Sequence, residues 1–184
     1  MALLPPSRLE HFGINVVDLD AMERFYVDTF GFTVSDRGTR FNGNRIVFLT
    51  KSPSDHHQFV LTEGRRDAAG ENPINQISFN VGSLDNLRLC FERLSAEGHD
   101  DFMQINHGNA WSIYTHDPEG NPIELFADSD WHTPQPCRGD LDLTKPVQVI
   151  LQETEDLCSS RAGSSTRNEW IARMQQAIPA GGDA

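Results

Sequence analysis

The sequence predicts an α+β protein made of two tandem βαβββ modules followed by a C-terminal helical extension. Three observations predict it. The first is an internal repeat: His11-Phe-Gly-Ile-Asn-Val-Val-Asp-Leu-Asp20 returns as Gln76-Ile-Ser-Phe-Asn-Val-Gly-Ser-Leu-Asp85, offset by 65 residues. Asn15 falls on Asn80, Val16 on Val81, Leu19 on Leu84 and Asp20 on Asp85. The second is strand alternation at the head of each copy. Phe12, Ile14 and Val16 oppose His11, Gly13 and Asn15, and Ile77, Phe79 and Val81 oppose Gln76, Ser78 and Asn80. The third is helical spacing directly afterwards, with Leu19, Met22, Phe25, Tyr26 and Phe30 in one copy and Leu84, Leu87, Phe91 and Leu94 in the other.

Each element has a local reason. Asp18 and Ser83 stand where a short oxygen-bearing side chain caps the first N–H groups of a helix. Gly31 and Gly98 stand where the helices end. Strand-like runs follow at 45–50 and 57–62 in the first copy and at 110–115 and 122–126 in the second. The turn Asp117-Pro-Glu-Gly-Asn121 joins the last two. The polar stretch with Gly64 and Gly70 reads as a linker. This gives a first module at 8–63, a linker at 64–73, a second module at 74–127 and an extension at 128–184. The extension is irregular to Pro146. It ends in a helix opened by the capping box Thr166-Arg-Asn-Glu169, with a stripe of Trp170, Ile171, Met174, Ala177 and Ile178.

Composition excludes several function classes. The 184 residues carry a formal net charge of −12, which repels a phosphate backbone, so no nucleic-acid partner is expected. No apolar run approaches the ~20 residues of a membrane span. The opening Met1-Ala2-Leu3-Leu4-Pro5-Pro6 lacks a basic region and a long apolar run, so no signal peptide is expected. Cys90, Cys137 and Cys158 are odd in number and far apart. That fits a reduced, cytoplasmic compartment better than a disulfide framework or a thiolate zinc site.

Three residues combine imidazole, amide and carboxylate chemistry. His11 and Gln76 are equivalent in the repeat and lie opposite the bulky residues of their strands. Glu124 alternates against Ile123 and Leu125. A carboxylate turned to an interior face needs a cation or a donor. His11, Gln76 and Glu124 therefore read either as ligands of one divalent metal with open coordination positions or as satisfied or surface polar groups.

The sequence also resembles the vicinal oxygen chelate superfamily, which includes glyoxalase I, fosfomycin-resistance thiol transferases, bleomycin-binding proteins and type I extradiol dioxygenases. The resemblance covers roughly residues 8–127. It rests on Leu9-Glu-His-Phe-Gly-Ile-Asn-Val16, Arg24-Phe-Tyr-Val-Asp-Thr-Phe-Gly-Phe32 and Ile113-Tyr-Thr-His-Asp-Pro-Glu-Gly-Asn-Pro-Ile-Glu-Leu125. It implies a curved mixed sheet, a cup, around a metal held by His11, Gln76 and Glu124. It also implies a homodimer or higher homo-oligomer, with the site inside one chain or shared across a swapped dimer.

Among these relatives the extradiol dioxygenases match best. They carry a histidine just before a first-copy strand, as in His56-His57, and a tyrosine ten residues before the glutamate, as Tyr114 stands to Glu124. Many add a histidine like that of Asn106-His-Gly108. The implied function is ring cleavage of a catechol-like aromatic by O2. Fe(II) is the first expectation for the metal, with Mn(II), Ni(II) or Zn(II) as alternatives. His57 would be the proton-transfer residue, Tyr114 the hydrogen-bonding residue on the substrate oxygen and His107 a pocket residue. One departure stands out: such enzymes normally use a second histidine where this chain has Gln76. Glyoxalase I would add a second glutamate ligand, but the repeat offset puts Phe59 opposite Glu124. The competing readings are a metal-dependent lyase, isomerase or thiol transferase without O2 and a non-catalytic binder of aromatic drugs.

Overall fold

A computed structural model describes residues 9–68 and 73–178. The segment before Leu9, the part of the expected linker at 69–72 and the end of the expected extension from 179 lie outside the described residues. The chain divides into two compact units. Of the described residues, one takes in those up to Asn75 together with His116–Asn121, and the other Gln76–Thr115 and those from Pro122 to 178. No helix among the described residues is long and apolar enough to cross a membrane.

The first unit holds strand β1 (Phe12–Val16), helix α1 (Leu19–Asp28) and strands β2 (Thr33–Thr39), β3 (Arg45–Thr50) and β4 (Phe59–Glu63). They form one sheet in the order β1-β4-β3-β2, with β1 parallel to β4 and the other pairs antiparallel. The second unit repeats this plan with β5 (Ile77–Asn80), α2 (Leu84–Ala96), β6 (Met103–Asn106), β7 (Ala110–His116) and β8 (Pro122–Asp128). The equivalent order, β5-β8-β7-β6, is extended beyond β6 by the two-residue strand Gly139–Asp140. β5 and α2 begin at the repeat offset from β1 and α1.

The helix ends form as their residues dictate. Asp18 accepts from Ala21 N at 3.0 Å and Ser83 from Asn86 N at 3.2 Å. Gly31 and Gly98 adopt φ of 68° and 90°, a region that costs glycine little. Leu19, Met22 and Tyr26 of α1 are buried with Ile14, Val16, Leu49 and Phe59 in the first unit. Leu84 and Leu87 of α2 are buried with Ile77, Ile113 and Ile123 in the second.

The turn at 117–121 packs within the first unit. Tyr26 Oη donates to Asp117 Oδ2 at 2.9 Å, and burial above all pushes the tyrosine's pKa up. Asp117 Oδ1 accepts from Glu119 N and Asn121 N. Glu119 Oε1 accepts from Val17 N and Asp18 N at 2.7 and 2.8 Å, where α1 begins. The Asp-Pro-Glu-Gly-Asn motif is thus a brace for α1, which explains why both of its carboxylates are buried.

The extension is more regular than its sequence suggests. It contains β9 (Trp131–His132), β10 (Gly139–Asp140), α3 (Val147–Ser159), β11 (Ser165–Thr166) and α4 (Arg167–Ala177). The capping box at Thr166 and Glu169 is present, but none of the residues of α4 is fully buried. Helix α3 escapes a search for apolar stripes because its buried face runs Ile150, Thr154, Cys158, with a hydroxyl in the middle. β2 and β6 escape for a similar reason: β2 is exposed along almost its whole length, and β6 is only four residues long.

Candidate metal centre

The residues singled out in the sequence fall into one group in each unit. In the first, the His11 and His57 rings lie 4.2 Å apart, and His56 Nδ1 stands 2.9 Å from His57 Nδ1. Phe48 packs its ring edge-on against both His56 and His57. The position of these imidazoles follows from strand pairing: β1 runs beside β4, so the residues preceding the two strands come together. Burial first, then the neighbouring His11 and His56, pushes the His57 pKa down, which favours a neutral ring able to accept a proton.

In the second unit Glu124 is the centre. Ser78 faces it across the parallel β5–β8 pair. Ser112 and Tyr114, two apart on β7, share one face of their strand. Glu124 is 8% exposed, and both carboxylate oxygens are fully engaged. Oε1 accepts from Ser112 Oγ at 2.8 Å and Tyr114 Oη at 2.6 Å, and Oε2 from Ser78 Oγ at 2.7 Å and Gln76 Nε2 at 2.8 Å. A carboxylate only accepts, and here four neutral donors meet it. Burial first, then the hydrogen bond to Glu124, pushes the Tyr114 pKa up, so the phenol keeps its proton.

A chain of contacts leads on from Tyr114. Its hydroxyl lies 2.9 Å from His107 Nε2, and His107 Nδ1 lies 2.8 Å from the Cys137 carbonyl oxygen. Since a carbonyl cannot donate, Nδ1 carries the proton and Nε2 faces Tyr114. A cavity of about 280 Å³ opens here, lined by His107, Asn109, Ala110, Glu124, Phe126, Asp128 and Gln135. Of the residues singled out in the sequence, Gln76, His107, Tyr114 and Glu124 come together here, and Ser78, Ser112 and Gln135, which the sequence did not single out, join them. Ser78 was legible as sharing the face of Gln76, whereas Gln135 carried no signal in its irregular surroundings.

The implied divalent metal can be tested against these donors. A carboxylate, an amide and three hydroxyls form an oxygen-rich set of the kind hard divalent cations take. Gln76 presents its nitrogen to Glu124, and turning the amide over presents Oε1 instead. Two oxygens facing each other in that way are stable with a cation between them. The residue types fit a metal. Among the described residues, no three or more histidine, cysteine, aspartate or glutamate side chains are disposed to hold one.

The profile of the Glyoxalase/Bleomycin resistance protein/Dioxygenase superfamily matches residues 8–125. The chain is 25% identical over 126 residues to biphenyl-2,3-diol 1,2-dioxygenase 2 of Rhodococcus globerulus, covering 66% of this chain and 63% of that protein. It thus spans just under two thirds of that relative's length. It is 24% identical over 165 residues to the trivalent organoarsenical cleaving enzyme of Bacillus sp. (strain MD1), covering 81% of this chain and 98% of that enzyme. In fold it resembles the Mn(II) complex of the fosfomycin resistance protein FosX from Listeria monocytogenes, with a TM-score of 0.52 and 23% identity over 67% of this chain and 93% of that one. The profile match spans well over half of the sequence, and the paired modules are its structural counterpart: the chain belongs to the Glyoxalase/Bleomycin resistance protein/Dioxygenase superfamily.

Proposed function

We propose that the protein is a metal-dependent extradiol-type dioxygenase that cleaves a catechol-like aromatic ring beside its two hydroxyls. The observation that carries this reading is the hydrogen-bonded chain Glu124–Tyr114–His107 beside one cavity. Biphenyl-diol dioxygenases among the relatives support it. Gln76 and Glu124 would hold the metal together with His11, from the same chain or from a second copy. When bound, a divalent metal, Fe(II) first, would hold both diol oxygens and lower their pKa.

The chain's own residues would do the rest. His57, held neutral by its surroundings, takes a proton from a catechol hydroxyl at its free ring nitrogen. Tyr114 hydrogen-bonds the substrate oxygen through Oη, and Ser112 keeps Glu124 Oε1 partnered while Tyr114 turns. His107 Nε2 lies next in line to accept the phenolic hydrogen bond. Phe126 and Ala110 give the aromatic ring an apolar wall. Both atoms of O2 enter the product, a muconic semialdehyde.

A second reading keeps the metal and dispenses with O2, as in a lyase, isomerase or thiol transferase. Gln76 favours it, because an amide oxygen is a weaker donor than imidazole for Fe(II). The organoarsenical-cleaving relatives raise a related possibility, but trivalent arsenic seeks thiolates. Cys137 and Cys158 are 3% and 0% exposed, burial pushes the Cys158 thiol's pKa up, and of the three cysteines Cys90, on α2, is the one partly exposed. A pure binder of aromatic drugs has no use for a buried carboxylate with four donors.

The test is anaerobic loading with Fe(II), Mn(II), Ni(II) or Zn(II), then a panel of catechols in air. A yellow ring-cleavage product with one O2 consumed per catechol, given by iron or manganese only, is the expected result. Turnover of a superfamily substrate without oxygen uptake would replace this reading with the second.

A further inference from the structure

Several of the contacts that fix His107 come from beyond residue 125, where the superfamily match ends. His107 sits in the tight turn between β6 and β7, closed by His107 N donating to Ala110 O at 2.8 Å. Gly108 has φ of 75°, and a Cβ there would lie 2.4 Å from Thr133 Cγ2. The extension therefore packs directly on the turn. Ser129 Oγ donates to Gly108 O, and Ser129 N donates to Asn109 O at 3.0 Å. The ring itself is held at Nδ1 by the Cys137 carbonyl.

Gln135 links the two sides of this arrangement. Its Nε2 donates to His107 O at 2.9 Å and to Asn109 Oδ1 at 3.0 Å, while its Oε1 accepts from Cys137 N at 3.0 Å. A backbone carbonyl only accepts and a backbone N–H only donates, so these partners also fix which way round the Gln135 amide lies. One side chain thus ties the backbone of His107 to the residue whose carbonyl meets the His107 ring.

We propose that Gln135 is a positioning residue that sets the tautomer of His107. By holding the Cys137 carbonyl against Nδ1 it keeps the proton there and leaves Nε2 able to accept from Tyr114 Oη when that hydroxyl turns from Glu124 Oε1. The role rests on the reading of His107 as a working residue of the Glu124 pocket. The extension is then part of the site and not an appendage.

The test is long-range 1H–15N NMR of the metal-free full-length chain labelled at histidine, in mildly alkaline buffer, with His107 assigned by its absence in His107→Gln. The wild type should show protonated Nδ1 and bare Nε2. Gln135→Leu, similar in size but without hydrogen bonds, should shift the tautomer ratio toward Nε2–H by about fivefold or more, the worth of one hydrogen bond. Ser129→Ala, which loosens the same turn without touching the Cys137 carbonyl, should leave the ratio unchanged. In the metal-loaded enzyme Gln135→Leu should lower kcat about 10- to 100-fold with KM nearly constant.

A wild-type spectrum showing protonated Nε2 overturns the proposal, whether or not the variant folds. So does an unchanged ratio in Gln135→Leu, or an equal shift in Ser129→Ala. The spectra need no metal, substrate or turnover. A protein with the Nδ1–H tautomer and its Gln135 dependence but no ring cleavage would keep this assignment and lose the dioxygenase reading.

Discussion

Tyr26 and Tyr114 are the two tyrosines of the chain, and each gives its hydroxyl proton to a carboxylate, Asp117 and Glu124 respectively. Burial is the largest cause of the raised pKa in both. A raised folded-state pKa means that the stabilisation is complete below the unfolded value of 10.0 and is lost as pH climbs above it. No phenolate absorbance should therefore develop near that pH while the fold persists. Both phenolates should appear together with loss of the circular dichroism signal, and a native protein with an ordinary tyrosine titration would contradict the burial argument. His57 makes a second residue-level case. Its assigned task is proton transfer and not ligation, so His57→Ala should retain metal by elemental analysis and lose about 10²–10⁴-fold in turnover. A variant that loses the metal would make His57 a ligand.

Helix α3 shows what an element can hide from sequence reading. Thr154 Oγ1 accepts from Asn106 Nδ2 at 2.9 Å and from Trp111 Nε1 at 2.8 Å, and it donates to Ile150 O at 2.7 Å. A buried threonine joining β6, β7 and α3 interrupts the apolar stripe that would have announced the helix. Thr154→Val keeps the shape but strands two buried donors, at a cost of about 1–3 kcal/mol each. Urea unfolding should show that loss, and Thr154→Ser should recover most of it; an unchanged midpoint for the valine variant would mean that water replaces the hydroxyl. The helices α1 and α2 were legible because caps, apolar spacing and terminal glycines all agreed. The braced turn at 117–121 was legible only as a turn, since its buried carboxylates answer to Tyr26 and to the amides at the start of α1, about a hundred residues away in sequence.

At the scale of the whole chain, the 65-residue repeat announced both modules, and both folded with the same strand order. What the repeat could not convey is asymmetry. Glu124 has Phe59 as its counterpart, so one module carries the buried carboxylate and the other a cluster of imidazoles. The hydroxyls around Glu124 come from neighbouring strands, a register no linear motif records, and the support of His107 comes from an extension outside the repeat. A cation held by Glu124 and Gln76 is the premise of every role proposed for the site. Anaerobic calorimetric titration of Fe(II) and Mn(II) into the wild type and Glu124→Ala tests that most directly. One metal per chain bound by the wild type and none by the variant is the predicted result; equal binding by both would contradict it.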